Sequence, residues 1–167
     1  MVSAIKARRS IRKYKPDKPV TKEQLKQLLT AAMLAPSARN SRPWEFISVT
    51  QRELLDEIAR VFPNAGMCKT ATAAIVVIAA PQPGMPEGYF SQDCSAATQN
   101  ILLEAADMGL GTCWCGVYPR DERIAIFEKL FGIEKPKIPF CVIAVGVPDE
   151  APPQKGFYDE AKVTFIE

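Results

Sequence analysis

Histidine is absent from this chain of 167 residues. Its absence excludes Ser-His-Asp and Cys-His catalysis, histidine metal sites and histidine pH switches. No apolar run approaches the roughly 20 residues that a membrane-spanning helix needs. Charge appears as early as Lys6, too soon for a secretory signal peptide. We therefore expect a cytoplasmic protein without a membrane segment.

The cysteines show neither a metal-binding nor a disulfide pattern. They are odd in number and widely spaced, without a Cys-x-x-Cys motif: Cys68, Cys94, Cys113, Cys115 and Cys141. We expect buried free thiols in a reducing compartment and no metal site. If residues 112–118 form a strand, we expect Cys113 and Cys115 to point to opposite faces.

Composition and charge indicate one globular domain with a basic arm near its start. Apolar residues make up 47% and charged residues 24% of the chain, and the net charge is only +2. Residues 6–18 contain seven basic side chains against Asp17 alone, a net charge of +6, so the remainder carries −4. We expect a single domain over residues 1–167, with residues 148–167 as a C-terminal arm.

Helical and strand patterns alternate along the chain. Capping boxes at Thr21/Gln24 and at Thr50/Glu53 predict two helices, the first ending before Pro36. Residues 91–108 predict a long central helix ended by Gly109 and Gly111, and residues 121–131 a further helix. Strands are predicted at residues 44–49, 73–80, 112–118 and 140–147, and the β-prone residues 162–166 suggest a fifth.

Three segments contain residues suited to binding. Arg8-Arg9-Ser10-Ile11-Arg12 suits a phosphate, because guanidiniums bind phosphate oxygens bidentately and the hydroxyl donates a further bond. A solvated arm and a nucleic-acid contact are the alternatives. The polar loop at residues 36–44 is either an ordinary connection or a ligand contact. The glycines of residues 109–116 fit neither a GxGxxG motif nor a P-loop.

Taken together and in this order, the segments resemble the FMN-dependent nitroreductase family. The resemblance rests on residues 8–12, residues 36–44, Gln99-Asn100 in a long helix, and Gly109-Leu110-Gly111-Thr112-Cys113-Trp114. It extends over residues 3–147 and weakly into the tail. It implies an α+β fold, a nitroreductase-like mixed β-sheet flanked by helices, and an intertwined homodimer that holds FMN at the subunit interface.

The resemblance also implies which residues bind FMN. Arg8 and Ser10, with Arg9 beside them, match the phosphate and ribityl contacts, and Arg12 matches the cation near flavin N1 and O2. The full implied set is Arg8, Arg9, Ser10, Arg12, Pro36, Ser37, Ala38, Asn40, Trp114, Cys115, Gly116 and Lys155. Two departures from the family pattern stand out. Arg42 replaces the usual Gln, and of the Lys and Arg with which the family's tail contacts the phosphate, only Lys155 stands in roughly the matching place.

The implied activity is transfer of hydride or electrons from NAD(P)H through FMN to a small acceptor such as a nitroaromatic, quinone or enone. No side-chain acid or base is needed, in agreement with the missing histidine. Two alternatives remain open: an FMN-binding protein without reductase turnover, and a non-enzymatic module that binds RNA or acidic partners through its arm. The sequence specifies neither the acceptor, nor NADH over NADPH, nor the pathway.

Overall fold

The chain folds around one four-stranded sheet. A computed structural model describes residues 2–86, 88–154, 156 and 158–167. The strands are β1 (Trp44–Val49), β2 (Ala73–Ala79), β3 (Gly111–Gly116) and β4 (Ile138–Gly146). Their order is β1-β2-β4-β3, and each neighbouring pair is antiparallel. One isolated parallel bridge, between Ser10 and Thr112, lies at the edge of the sheet beside β3.

Helices cover both faces of the sheet. They are α1 (Ser3–Ala7), α2 (Lys22–Met33), α3 (Arg52–Val61), α4 (Tyr89–Asp107) and α5 (Asp121–Phe131). Short 3-10 helices span Ala38–Asn40, Pro63–Lys69 and Glu160–Lys162. Within the described part of the chain, no helix is both long and apolar enough to cross a membrane.

The alternation of side chains along β2 produces two cores. All seven residues of this strand are buried. Ala73, Ile75 and Val77 pack with apolar side chains of α2 and α4. Ala74 and Val76 pack on the other side with those of α3 and α5. The sheet is therefore the middle layer between two helical layers, which confirms the α+β class.

The local sequence patterns predicted some of the helices and strands correctly and others wrongly. The capping box at Thr21 is confirmed: the Gln24 N–H donates to Thr21 Oγ1, and the Thr21 N–H donates to Gln24 Oε1. The second capping box is wrong, because α3 begins at Arg52 after Gln51, without a side-chain cap. In this chain residues 163–167 form no strand, and Phe165 and Ile166 are 76% and 95% exposed.

All five cysteines are free and buried, as predicted. The expected placement of Cys113 and Cys115 on opposite faces is wrong. Both side chains belong to the core on the α3 and α5 side. Successive side chains of a strand point to opposite faces of the sheet, so the side chains of residues two apart point to the same face.

Candidate functional site

The basic arm is fixed along the edge of β3 by its backbone. The Ile11 N–H donates to the Thr112 carbonyl at 2.9 Å, and the Lys15 N–H donates to the Val147 carbonyl at 2.9 Å. Tyr14 forms a further isolated bridge with Pro148. The arm is therefore a fixed part of the sheet edge rather than a free tail.

Two side chains of the arm point inward and pack on two glycines. Gly111 and Gly146 are register partners on β3 and β4. A Cβ on Gly111 would lie 2.9 Å from side-chain atoms of Ile11, and one on Gly146 would lie 2.8 Å from the ring of Tyr14. Ile11 and Tyr14 are buried against these glycines, whereas Ser10 and Arg12 stay exposed. Because glycine has no side chain, Gly111 and Gly146 allow the arm to lie close to β3 and β4.

The outward side chains of the arm line a cavity of about 300 Å³, which we call the arm cavity. Its walls are Arg8, Arg9, Ser10, Arg12, Glu150, Pro152 and Pro153. Three guanidiniums and a hydroxyl are a donor set suited to an anionic phosphate. The four arm residues that sequence reasoning selected therefore come together at one place.

Two sets of hydrogen bonds around the arm cavity were not foreseen, one made by Arg9 and one by Glu150. The Arg9 guanidinium donates to the carbonyls of Pro153 at 3.1 Å, Lys6 at 2.7 Å and Arg8 at 2.6 Å, and so it fastens the C-terminal arm. Glu150 Oε1 accepts the backbone N–H groups of Arg12 and Lys13. Nothing in the local sequence pairs Glu150 with the arm, because the two lie 138 residues apart.

The polar loop at residues 36–44 has an unusual backbone. Arg39, Asn40 and Arg42 have φ values of 52°, 54° and 48°. Left-handed backbone costs a non-glycine residue roughly 1–2 kcal/mol, and such residues cluster at functional sites. Within the loop, the Arg42 N–H donates to Ser37 Oγ at 2.9 Å, and Arg42 Nε donates to Asn40 Oδ1 at 3.0 Å. Arg42 thus holds the Asn40 amide in one orientation.

α4 holds the loop through Asp93. The Ala38 N–H donates to Asp93 Oδ1 at 3.0 Å. Asp93 is only 6% exposed, and its Oδ2 has no hydrogen-bond partner among the residues that the structure describes; the same is true of Ser41 Oγ. Sequence reasoning missed Asp93. The signal was a lone acid in the first turns of a mostly apolar helix.

The residues selected on β3 differ in what they can offer a ligand. Trp114 is half-buried and lies 6.1 Å from the ring of Phe140. The thiol of Cys115 points into the core and lies 3.2 Å from the Asn64 carbonyl, so only its backbone is available. A Cβ on Gly116 would meet no described atom within 4 Å. The space beside Gly116 is open in this chain.

Burial and neighbouring groups shift the ionisation of the side chains behind the arm. Burial raises the pKa of Tyr14 well above its usual value. A hydrogen bond from Cys115 and, to a smaller extent, the charge of Arg12 lower the pKa of Cys113 to about 7, although burial acts in the opposite direction. The same thiol pairing raises the pKa of Cys115. The Arg12 charge therefore acts on β3, next to the segment selected there.

Within one chain, the arm and the loop lie at opposite ends of α4. The loop is bonded to Asp93 near the start of the helix. Arg8 and Arg9 share a second cavity with Ala106 and Leu110 at its end. Thirteen residues of α-helix span about 20 Å, so the two halves of the predicted site are separated in a single copy. Lys155, the last predicted residue, lies outside the described residues.

The sequence of this chain is similar to those of known proteins. The model of the nitroreductase family matches residues 5–80 and 64–147. A relative from Methanothermobacter thermautotrophicus, provisionally named NADH dehydrogenase/NAD(P)H nitroreductase, is 44% identical over 163 residues, which cover 98% of this chain and 85% of the relative.

Solved structures show the same fold. An FMN-dependent nitroreductase from Clostridium difficile R20291 is 34% identical, with a TM-score of 0.90 over 100% of this chain and 99% of that chain. A provisionally named nitroreductase from Desulfovibrio desulfuricans, solved in complex with FMN, is 26% identical, with a TM-score of 0.84 over 99% and 95% of the two chains.

Proposed function

This chain belongs to the nitroreductase family, and on that premise we propose that it is an FMN-dependent oxidoreductase that uses NAD(P)H. The observation that carries the proposal is the fixed arm. Arg8, Ser10 and Arg12 face one cavity at the edge of β3; Arg8 and Ser10 offer donors suited to the phosphate end of FMN, and Arg12 adds a cation beside them. Bound FMN would supply the two-electron chemistry between NAD(P)H and a small acceptor.

The residues of this chain would bind and orient the cofactor. Arg8 and Ser10 would hold its phosphate, and Arg12 would place a positive charge near N1 and O2 of the ring. Arg9 would act mainly by fixing the C-terminal arm, since its guanidinium already donates to three carbonyls. Lys155 remains a proposed phosphate contact.

The loop and β3 would contact the ring system. The left-handed backbone at Asn40 and the hydrogen bond from Arg42 give the Asn40 amide a fixed direction. The proposed loop contacts are Pro36, Ser37, Ala38 and Asn40. On β3, Trp114 and the backbone of Cys115 and Gly116 would approach the redox-active edge of the ring. In this proposal no side chain acts as acid or base, and water supplies protons.

We further propose that the protein works as a homodimer. The loop and the arm lie about 20 Å apart along α4 in one copy. Two copies of α4 packed antiparallel about a two-fold axis would place the loop of one copy beside the arm of the other. The exposed Phe165 and Ile166 of the C-terminal arm (residues 148–167 of the single domain) also favour a contact with a second copy.

We also propose the classes of electron acceptor and the cellular location of the protein. Nitroaromatics, quinones and enones are the proposed acceptor classes, because each accepts electrons and is small enough to reach a buried ring. Five free thiols favour a reducing, cytoplasmic environment.

Purified protein tests the function directly. We expect a yellow protein that releases FMN, not FAD, on denaturation, and whose flavin absorbance is bleached by NADH or NADPH without oxygen. Bound flavin that neither nucleotide reduces would favour an FMN-binding protein without turnover. Protein that gains no flavin from added FMN, but binds RNA in a salt-dependent manner, would instead support the basic-arm module.

A further inference from the structure

Glu150 adds a negative charge to a cavity whose other polar side chains suit an anion. Its side chain lines the arm cavity together with Arg8, Ser10 and Arg12. It also lines a neighbouring cavity of about 280 Å³ at the end of α4, and the residue is half-buried. A carboxylate repels a phosphate, so it would weaken a site for a simple anion. The position of Glu150 therefore indicates a ligand with a further polar group besides the phosphate.

One carboxylate oxygen of Glu150 holds the arm. Oε1 accepts the backbone N–H groups of Arg12 and Lys13. Beside it, the Asp149 N–H donates to the Lys13 carbonyl at 2.8 Å. These hydrogen bonds join residues 149–150 to residues 12–13, and they fix the carboxylate at the wall of the arm cavity.

The other oxygen, Oε2, remains available to a ligand. It accepts no hydrogen bond from the residues that the structure describes. Among those residues Glu150 also forms no ion pair, although three arginines line the same cavity. A carboxylate oxygen only accepts hydrogen bonds, so a ligand that displaces water from the cavity must supply Oε2 with a donor.

Two different groups of one ligand fit these walls. Arg8 and Ser10 suit a phosphate, and Glu150 Oε2 suits a hydroxyl that donates. We propose that Glu150 is a binding residue for a phosphorylated polyol, in which Oε2 accepts a hydrogen bond from a hydroxyl of the polyol chain while the arm binds the phosphate. The cavity then selects a polyol phosphate over a phosphate whose chain carries no hydroxyl. Acidic side chains bind ribose hydroxyls in the same way in dinucleotide sites.

This inference rests on the proposed function when it assigns the polyol as the ribityl chain of FMN. In that assignment the phosphate lies at Arg8 and Ser10, the ring lies near Arg12, and the chain between them carries hydroxyls. Glu150 is bonded to the arm at Arg12. Two residues of extended chain span at most about 7 Å, so Glu150 also lies near Ser10 and beside the middle of the cofactor.

Binding is tested with ribitol 5-phosphate and pentyl phosphate, which share the phosphate and the chain length but differ in the hydroxyls. Ligand-observed NMR titration of the full chain, stripped of any flavin, gives both dissociation constants. We expect ribitol 5-phosphate to bind more tightly. Glu150→Gln keeps an oxygen for the two backbone N–H groups but replaces Oε2 with an NH₂ group. The preference should then fall about fivefold or more, because a charge-assisted hydrogen bond is stronger than a neutral one.

The same variant should bind pentyl phosphate more tightly than the unmodified protein does, because the repulsion between carboxylate and phosphate is removed. A merely structural role of Glu150 would instead weaken the binding of both probes. Asp149→Asn is the matched control. It makes the same chemical change at the adjacent, exposed position outside the arm cavity, and it should leave the preference unchanged.

Equal binding of the two probes by the unmodified protein would overturn the proposal, and this result decides even if Glu150→Gln does not fold. A folded Glu150→Gln variant that keeps the preference would also overturn it. So would an Asp149→Asn variant that loses the preference to the same extent, because the effect would then come from net charge rather than from the arm cavity.

Flavin binding separates this inference from the proposed function. A protein that prefers ribitol 5-phosphate through Glu150, but neither binds FMN nor oxidises NAD(P)H, contradicts only the proposed function. A protein whose bound FMN is reduced by NAD(P)H, but whose preference is unchanged in Glu150→Gln, contradicts only the inference.

Discussion

Three arginines within five residues have three different surroundings. The Arg9 guanidinium is hydrogen-bonded to three carbonyls. Arg12 is exposed, and Glu150 accepts its backbone N–H. The half-buried side chain of Arg8 lines the arm cavity beside Ser10. A cluster of like residues therefore divides into one structural side chain and two that remain available to a ligand.

This division predicts different effects for two alanine variants. Arg8→Ala should weaken FMN binding about ten- to a hundredfold, because a charge-assisted hydrogen bond contributes about 1.5–3 kcal/mol. The midpoint potential of the flavin that still binds should change little. Arg12→Ala should instead lower the midpoint potential at saturating FMN, because a positive charge near the ring favours its reduced form. Fluorescence titration measures the first effect and potentiometric titration the second.

Lys13→Ala is the control for these variants, since it removes one positive charge from the arm at an exposed position outside the arm cavity. If Arg8→Ala shifts the potential while Arg12→Ala leaves it unchanged, the two ends of the cofactor are assigned the wrong way round. Effects of equal size in all three variants would indicate general electrostatic attraction rather than specific contacts.

At this scale the sequence predicted that Arg8, Ser10 and Arg12 come together, but not the acids that hold the arm and the loop. Arg8, Ser10 and Arg12 are adjacent in a short motif, so the pattern alone brought them together. Glu150 and Asp93 act on the arm and the loop from distant parts of the chain. Only the tertiary fold creates such pairs, and an isolated acid gives no local signal.

At the scale of elements, the arm is held by close packing on two glycines. Gly111→Ala would place a Cβ 2.9 Å from the branched base of Ile11, where a change of rotamer gives no relief. We expect a loss of about 1–3 kcal/mol in the free energy of unfolding, the usual effect of overpacking, together with weaker FMN binding because the arm is displaced. Urea denaturation of flavin-free protein gives the stability.

Gly116→Ala on the same strand is the control, since its Cβ would meet no described atom within 4 Å and its stability should change by no more than about 1 kcal/mol. If Gly111→Ala proves as stable as Gly116→Ala and binds FMN normally, the arm does not depend on this packing.

Elements with strong local patterns were predicted well, and their ends less well. Strand β1 matches the predicted residues 44–49, and the capping box of α2 is present. Gly109 ends α4 with a φ of 73°, but Gly111, expected to help end it, begins β3. Position 111 requires a small residue because the side chain of Ile11 packs against it. The two residues are far apart in the chain, so the local sequence cannot reveal this contact.

At the scale of the whole molecule, the two-fold pairing of α4 makes a geometric prediction. Gln99 is exposed and lies midway between Asp93 and Ala106, so it should lie next to the same residue of the partner copy. Gln99→Cys should therefore form a disulfide between subunits under mild oxidation, doubling the mass on a non-reducing gel. The native thiols are all buried and should give little background.

Gln92→Cys is the matched control. It is exposed on the same helix, two turns earlier, and in the antiparallel pairing its partner copy would lie more than about 20 Å away, beyond disulfide reach. Efficient cross-linking at Gln92 but not at Gln99 would place the axis elsewhere. No cross-linking at either position, together with a monomeric mass by light scattering, would contradict the dimer.

The separation of the loop and the arm along α4 also imposes a thermodynamic linkage. If each site takes its arm from one copy and its loop from the other, a monomer holds only half of the binding groups. If dimerisation raises the affinity for FMN by some factor, then bound FMN must raise the affinity between the subunits by the same factor. Dilution would release the cofactor, and excess cofactor would oppose dissociation. Flavin occupancy would thereby report how much of the protein is present in the cell, as well as how much FMN.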